Sequence, residues 1–164
     1  RRLAEIMVDL AGIDHVKIIR LHTRVPVVLP ERINDEFVAL FKNQKRQKVM
    51  VLHCNHPNEI NEEVRSACLK LTQAGFVLLN QSVLLKNINN QAEILATLSK
   101  KLFQCGVLPY YLHLLDKVEG ATHFDLPHEE ARQIFKKLQS LLPGYLVPRL
   151  AREEPGQTSK TLIS

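Results

Sequence analysis

The chain has 164 residues, of which 45% are apolar and 24% charged, and carries 22 Lys+Arg against 17 Asp+Glu for a formal charge of +5. That length and balance suit one globular domain and exclude a fibrous or wholly disordered chain. No apolar run approaches the roughly 20 residues of a membrane-crossing helix, and no basic-then-apolar leader opens the sequence, so a cytoplasmic protein without a membrane partner is expected.

In chain order the apolar pattern alternates between two periods. Leu3/Ile6/Met7/Leu10 form a first helical stripe, followed by a continuous apolar run at Val16–Leu21. Asn34 with Asp35–Glu36 reads as a helix start before Phe37/Leu40/Phe41, and Val49–His53 is the next run. Asn61 with Glu62–Glu63 opens the stripe Val64/Ala67/Cys68/Leu71, Gly75 stops it, and Phe76–Leu79 follows. Leu95/Leu98/Leu102 end at Gly106, ahead of the run Val107–Leu112. Asp125, Pro127 and Glu129–Glu130 then precede Ile134/Phe135/Leu138/Leu142, which Pro143–Gly144 closes before Tyr145–Leu150. A short polar cap accepts an orphan N–H and carboxylates meet the helix dipole. Runs that are apolar throughout suit strands buried on both faces of a parallel sheet.

The runs recur about every 30 residues, the length of a βαβ unit. The prediction is therefore an α/β fold with a parallel sheet. Neither GxGxxG nor GxxxxGK[ST] follows any strand, so the Gly-rich phosphate loops of nucleotide-binding sheets are missing. A complete (β/α)₈ barrel takes about 250 residues, and the first stripe opens without a cap. Residues 1–164 are read as the C-terminal part of a TIM-type (β/α) barrel.

In such folds chemistry collects at the carboxyl ends of the strands, and those ends are polar here. They carry His22–Thr23–Arg24, then His53–Cys54–Asn55–His56, then Asn80–Gln81–Ser82. The fourth run passes through Tyr110, Tyr111 and His113 to Asp116, and the fifth leads to Arg149, Arg152, Glu153, Glu154 and Lys160. Each residue has a plainer reading. His53 and His56 fit either a turn cap or a site, and their spacing alone is poor support for a metal. Gln81 fits a loop hydrogen bond as well as a ligand contact, Asp116 fits a cap before Gly120, and Lys160 taken alone reads as a solvent lysine. The three cysteines, Cys54, Cys68 and Cys105, form no CxxC pair, and Cys68 reads as a core residue. Lys42, Lys45, Arg46 and Lys48 lack the interleaved aromatics of a nucleic-acid surface, so no direct nucleic-acid partner is expected.

Five segments, HTRVPVVLPERI (22–33), HCNHPNEI (53–60), LLNQSVLLKNINN (78–90), GVLPYYLHLLDKVEGATHF (106–124) and GYLVPRLAREEPGQTSK (144–160), together resemble the lysine 2,3-aminomutase family of radical S-adenosylmethionine enzymes. The detail of YLHLLDKVEGATHF and GYLVPRLARE is most similar to the branch that makes (R)-β-lysine for elongation factor P. The resemblance implies an isomerase, an L-lysine 2,3-aminomutase, with three cofactors: pyridoxal phosphate, S-adenosylmethionine and a [4Fe–4S] cluster. It implies Lys160 as the lysine that forms the Schiff base with pyridoxal phosphate. Asp116 and Glu153 would hold the terminal ammonium of L-lysine, Gln81 would lie beside the cofactors, and His53 and Asn55 near S-adenosylmethionine. Where longer aminomutases carry Asp, this chain has Glu153. The family's CxxxCxxC cluster loop and GGD segment do not occur in these residues. The expectation is thus that the chain supplies the pyridoxal and substrate portion, with segment 144–160 at its end, and is inactive alone. No metal ligand is assigned within it. A homo-oligomer is compatible with this reading. The alternative is a non-catalytic α/β module that binds pyridoxal phosphate or a partner; a third reading, an RNA-associated domain, would require salt-dependent RNA affinity.

Overall fold

A computed structural model describes residues 2–42, 44, 46–116, 120–153, 156 and 159–163. Glu154 and Lys45, named above, lie outside the described residues. Among the described residues six strands form one sheet in sequence order: β1 (Ile18–Thr23), β2 (Gln47–His53), β3 (Phe76–Leu84), β4 (Val107–Leu114), β5 (Arg149–Arg152) and β6 (Thr161–Leu162). Strands β1 to β5 pair in parallel and β6 runs antiparallel to β5. The helices are α1 (Arg2–Ala11), α2 (Val25–Val28), α3 (Asp35–Ala39), α4 (Glu62–Gln73), α5 (Ala92–Gln104) and α6 (His128–Leu141).

Strands in sequence order with same-handed crossovers place every connecting helix on one side. Two apolar clusters fill the space between. Ile19, Met50, Leu52, Phe76 and Leu78 meet α1 and α4 through Met7, Val64, Ala67, Cys68 and Leu71. Leu84, Leu112, Leu114 and Leu150 meet α5 and α6 through Leu95, Ala96, Ala131 and Leu138. The helix starts work as their sequences suggest at two positions. Asn34 accepts from the Phe37 N–H and Asn61 from the Val64 N–H, each at 2.9 Å. Gly75 and Gly106 take positive φ of 81° and 75° just past α4 and α5, where a side chain would be strained.

Three expectations are corrected. The sheet is α/β and mostly parallel, but its second face is only partly covered: on the side away from the helices Val51 is fully buried, whereas Val77 and Leu108 are 49% and 40% exposed. The last run is not a strand over Tyr145–Leu150; Gly144–Leu146 form a 3-10 turn and β5 begins at Arg149, because Pro148 has no N–H to give a ladder. Asp125 does not cap α6: its carboxylate accepts from the Leu126 N–H, and Pro127 stands at the N-cap. The third strand also runs on through Asn80–Gln81–Ser82 to Leu84.

Candidate functional site

The turn after β2 is built from buried hydrogen bonds. The Cys54 N–H donates to Asn80 Oδ1 at 2.9 Å, while its carbonyl accepts from Asn80 Nδ2 at 3.0 Å and from Ser82 Oγ at 2.7 Å. Asn55 Oδ1 accepts from the Val83 N–H, and the Asn55 carbonyl accepts from Asn89 Nδ2. Glu59 Oε1 accepts from the N–H groups of both Asn55 and His56, and its other oxygen pairs with Arg24 at the end of β1. Most buried polar groups in folded proteins are satisfied in this way. The network holds the ends of β1, β2 and β3 in one arrangement.

His53 and His56 part ways on this turn. His56 Nδ1 accepts from the Asn58 N–H and caps the short 3-10 turn Pro57–Glu59. His53, paired across to Gln81, faces the open side of the sheet. Its Nε2 is buried with no hydrogen-bond partner among the described residues, and its ring stands edge-on to His22 at 6.1 Å. Among the described residues no group of three His, Cys, Asp or Glu converges as a metal site.

The fourth strand carries an irregularity that decides the site. Asn80 pairs with Pro109 but Gln81 pairs with Tyr111, so Tyr110 is an extra residue. Proline cannot complete a central ladder and is found at bulges. Past the bulge Tyr111 and His113 stand opposite Gln81 and Val83 and share the open face with them. Lys160, after β5, reaches the same place. Its Nζ donates to Glu153 Oε1 at 2.6 Å, lies 3.2 Å from His113 Nε2, and sits 5.1 Å from the centre of the Tyr111 ring.

Around this point opens a cleft of about 390 Å³ lined by His53, Asn55, Gln81, Asp116 and Glu153, with Arg24 and His113 beside them. Five of the six residues singled out in the sequence line it, and Lys160 is bonded to the fifth of them. Sequence reasoning passed over Asn89 and Glu59, which shape the rim, and left Asn80, Ser82 and His113 as strand-end polar residues without a role. Pro109 inside a strand pattern was the signal for the bulge.

The electrostatics favour the neutral form of three imidazoles, those of His22, His53 and His113. Burial holds the pKa of His113 below its ordinary value; the Lys160 cation adds to this, and Glu153 and Asp116 oppose it. His53 is lowered by burial first, then by Arg24 and Lys160. His22 is lowered by burial, then by Arg20, His53 and Lys160. The hydrogen bond and charge of Lys160 hold the Glu153 carboxyl below the usual range. Burial pushes the thiols of Cys54 and Cys68 up to about 12, so both remain protonated and are poor metal ligands.

The class defined by this architecture is an α/β protein whose site sits at the carboxyl ends of a parallel sheet, where a lysine, two carboxylates and neutral histidines gather. No family model matches the chain. It is 56% identical over 99% of its length to the L-lysine 2,3-aminomutase of Haemophilus influenzae and 50% identical over 95% to that of Escherichia coli. The Clostridium subterminale enzyme of the same name is 41% identical over 98% of the chain. These matches cover 48%, 46% and 38% of the relatives' own length. The chain belongs to the lysine 2,3-aminomutase family and spans about half the length, or less, of the curated relatives it matches.

Proposed function

We propose that these residues form the pyridoxal phosphate- and substrate-binding, C-terminal portion of an L-lysine 2,3-aminomutase, a cytoplasmic isomerase whose sheet is an arc of a TIM-type barrel. The reaction is conversion of L-lysine to (R)-β-lysine by 1,2-amino migration, with elongation factor P as the downstream acceptor. The observation that carries this reading is the placement of the Lys160 amine 2.6 Å from Glu153 and 3.2 Å from His113 on the cleft that His53, Gln81 and Asp116 also line.

The side chains fit pyridoxal phosphate. Lys160 offers a half-buried primary amine, and the neutral imidazole of His113 faces it without adding charge. Schiff-base lysines work from such partly desolvated positions. His53 fits a contact to S-adenosylmethionine, since its buried Nε2 has no partner among the described residues; Asn55 contributes chiefly by fastening the turn that presents His53. The [4Fe–4S] cluster does not fit here. Cys54 and Cys68 are buried with thiols at about 12, so on this reading the cluster is held by residues other than these, and the chain alone generates no radical. When bound, pyridoxal phosphate supplies a carbonyl that captures amines, and S-adenosylmethionine with the cluster supplies a hydrogen-abstracting radical. Glu153 and Asp116 supply two carboxylates for the terminal ammonium of lysine, a charge-assisted contact that selects a diamino acid by length. Gln81, between His53 and Tyr111 on the open face, orients what lies between the two ends.

Borohydride trapping of the full-length protein with pyridoxal phosphate, followed by peptide mass mapping, tests the assignment. A single reduced adduct on Lys160, abolished by Lys160→Ala with the circular dichroism unchanged, is expected. A folded full-length protein with no adduct on Lys160 overturns it.

A further inference from the structure

Lys160 Nζ meets three groups: Glu153 Oε1 at 2.6 Å, His113 Nε2 at 3.2 Å and the face of Tyr111, whose centroid is 5.1 Å away. An ammonium has donors and no acceptor, so at Nε2 the imidazole lone pair accepts and the ring hydrogen lies on Nδ1. The contact is made by the fold. Tyr111 and His113 reach the open face because Tyr110 is bulged out of register, and His113 is paired with Val83 on one side and Ala151 on the other. His113 is 8% exposed and the Lys160 side chain 27%, so bulk water has limited access to the pair.

We propose that His113 is the proton carrier of Lys160: its imidazole takes a proton from the lysine ammonium, delivers it to the oxygen of an incoming aldehyde, and works in reverse when the lysine is released. The inference rests on the reading of Lys160 as the lysine that captures pyridoxal phosphate.

An ammonium has no lone pair and cannot attack a carbonyl. His113 Nε2 takes one proton from Nζ, and the freed amine bonds to the carbonyl carbon while the C=O π pair moves to oxygen. A second N–H proton passes to that oxygen. Nε2 then returns the first proton to it, the C–O bond breaks and water leaves. The nitrogen lone pair closes the C=N bond, which keeps the third hydrogen and the positive charge, so no proton is gained or lost overall. Such a carrier must be base and acid in turn, and the groups facing His113 set that balance. Burial and then Lys160 hold its pKa below the ordinary value, His53 adds to this, and Glu153 and Asp116 oppose it. The lowered pKa makes the imidazolium a stronger acid toward the departing oxygen. Glu153 lies closer to Nζ, but Lys160 holds its carboxyl below the usual carboxylate range. The carboxylate is therefore the weaker base of the two and orients the ammonium instead.

The test is the rate of Schiff-base formation on the full-length protein, followed by stopped-flow absorbance on mixing with pyridoxal phosphate alone. His113→Gln should slow formation about 100-fold, the lower end of what a positioned acid–base group contributes. Release on dilution should slow by the same factor, leaving the equilibrium yield on Lys160 unchanged by borohydride trapping and mass mapping. Imidazole added to His113→Ala should restore the rate in proportion to its concentration and leave the wild type unmoved. Should His113→Gln fold poorly by its melting curve, His113→Asn takes its place. A yield that falls along with the rate, with no rescue by imidazole, would show a merely structural role and overturn the inference. If His113→Gln forms the adduct as fast as wild type while Glu153→Gln slows it, the proton passes through Glu153; the inference is then wrong although Lys160 keeps its role. If folded wild-type protein forms no adduct on Lys160, the reading of Lys160 fails and the inference with it.

Discussion

The two faces of this sheet differ in kind. One is apolar and closed: Met50, Leu52, Leu78 and Leu112 are at most 2% exposed beneath the helices. The other carries His22, His53, Gln81, His113 and, next to them, Lys160, with Val77 and Leu108 standing half open. The alternation of a strand sends neighbouring side chains to opposite faces, so every site residue on a strand has a core residue as its chain neighbour. The difference teaches that the covered face sets stability, while the open face is free to hold groups that packing would not tolerate. Asn80 and Ser82 are the exception, polar residues on the covered face, and their hydrogen bonds to the Cys54 backbone explain why they are admitted there.

This contrast can be broken from either side. On the covered face Leu71 is fully buried among α4 and the strands. Leu71→Ala should cost about 2–5 kcal/mol, the sum of lost transfer energy and a cavity, read as a fall in the urea midpoint of the full-length protein. Asn80→Ala should cost about 1–3 kcal/mol by stranding the buried Cys54 N–H, and should also loosen the turn that presents His53. A loss as small as that of a surface substitution would mean that the network is dispensable.

Val77→Ala sharpens the comparison on the open side. If the sheet is an arc of a barrel, Val77 points to its interior in the full-length protein, and the substitution should cost about 1 kcal/mol or more. A change within about 0.5 kcal/mol, usual for a surface position, would argue that this face stays open.

The smallest effect is on pH. His53 and His113 have folded pKa values below the ordinary 6.5, so the unfolded chain binds more protons between the two values. Their contribution to stability is complete above about pH 6.5 and is lost as pH falls through the lowered folded values. Urea midpoints at pH 7.5, 6.5 and 5.5 should therefore decline with acid, and His113→Gln should flatten part of that decline. An equal decline in the variant would remove His113 from the account.

Much of the fold was legible because it rests on local periods. The stripes Val64/Ala67/Cys68/Leu71 and Leu95/Leu98/Leu102 lie on α4 and α5, and the caps Asn34 and Asn61 bond as their chemistry suggests. The site was legible in part. Lys160, Asp116 and Glu153 came from the resemblance to a family, since a lysine near the end of a chain reads by itself as solvent-exposed. His56 illustrates the limit: two histidines on one turn looked equivalent, and only the path of the backbone made one a cap and the other a cleft residue.

By itself, the sequence determined the longer helices, the first four strands, their order and the polar character of the strand ends, because these follow from the spacing of apolar residues along the chain; α2, β6 and the start of β5 did not. The tertiary structure alone decided which of those polar residues meet. One extra residue at Tyr110 reverses the sides on which β4 presents its next side chains, sending Tyr111 and His113 to the open face. There they meet Lys160 from beyond β5, 47 residues away in the chain from His113. Side-chain direction along a strand depends on register with its neighbours, and register is a property of the assembled sheet.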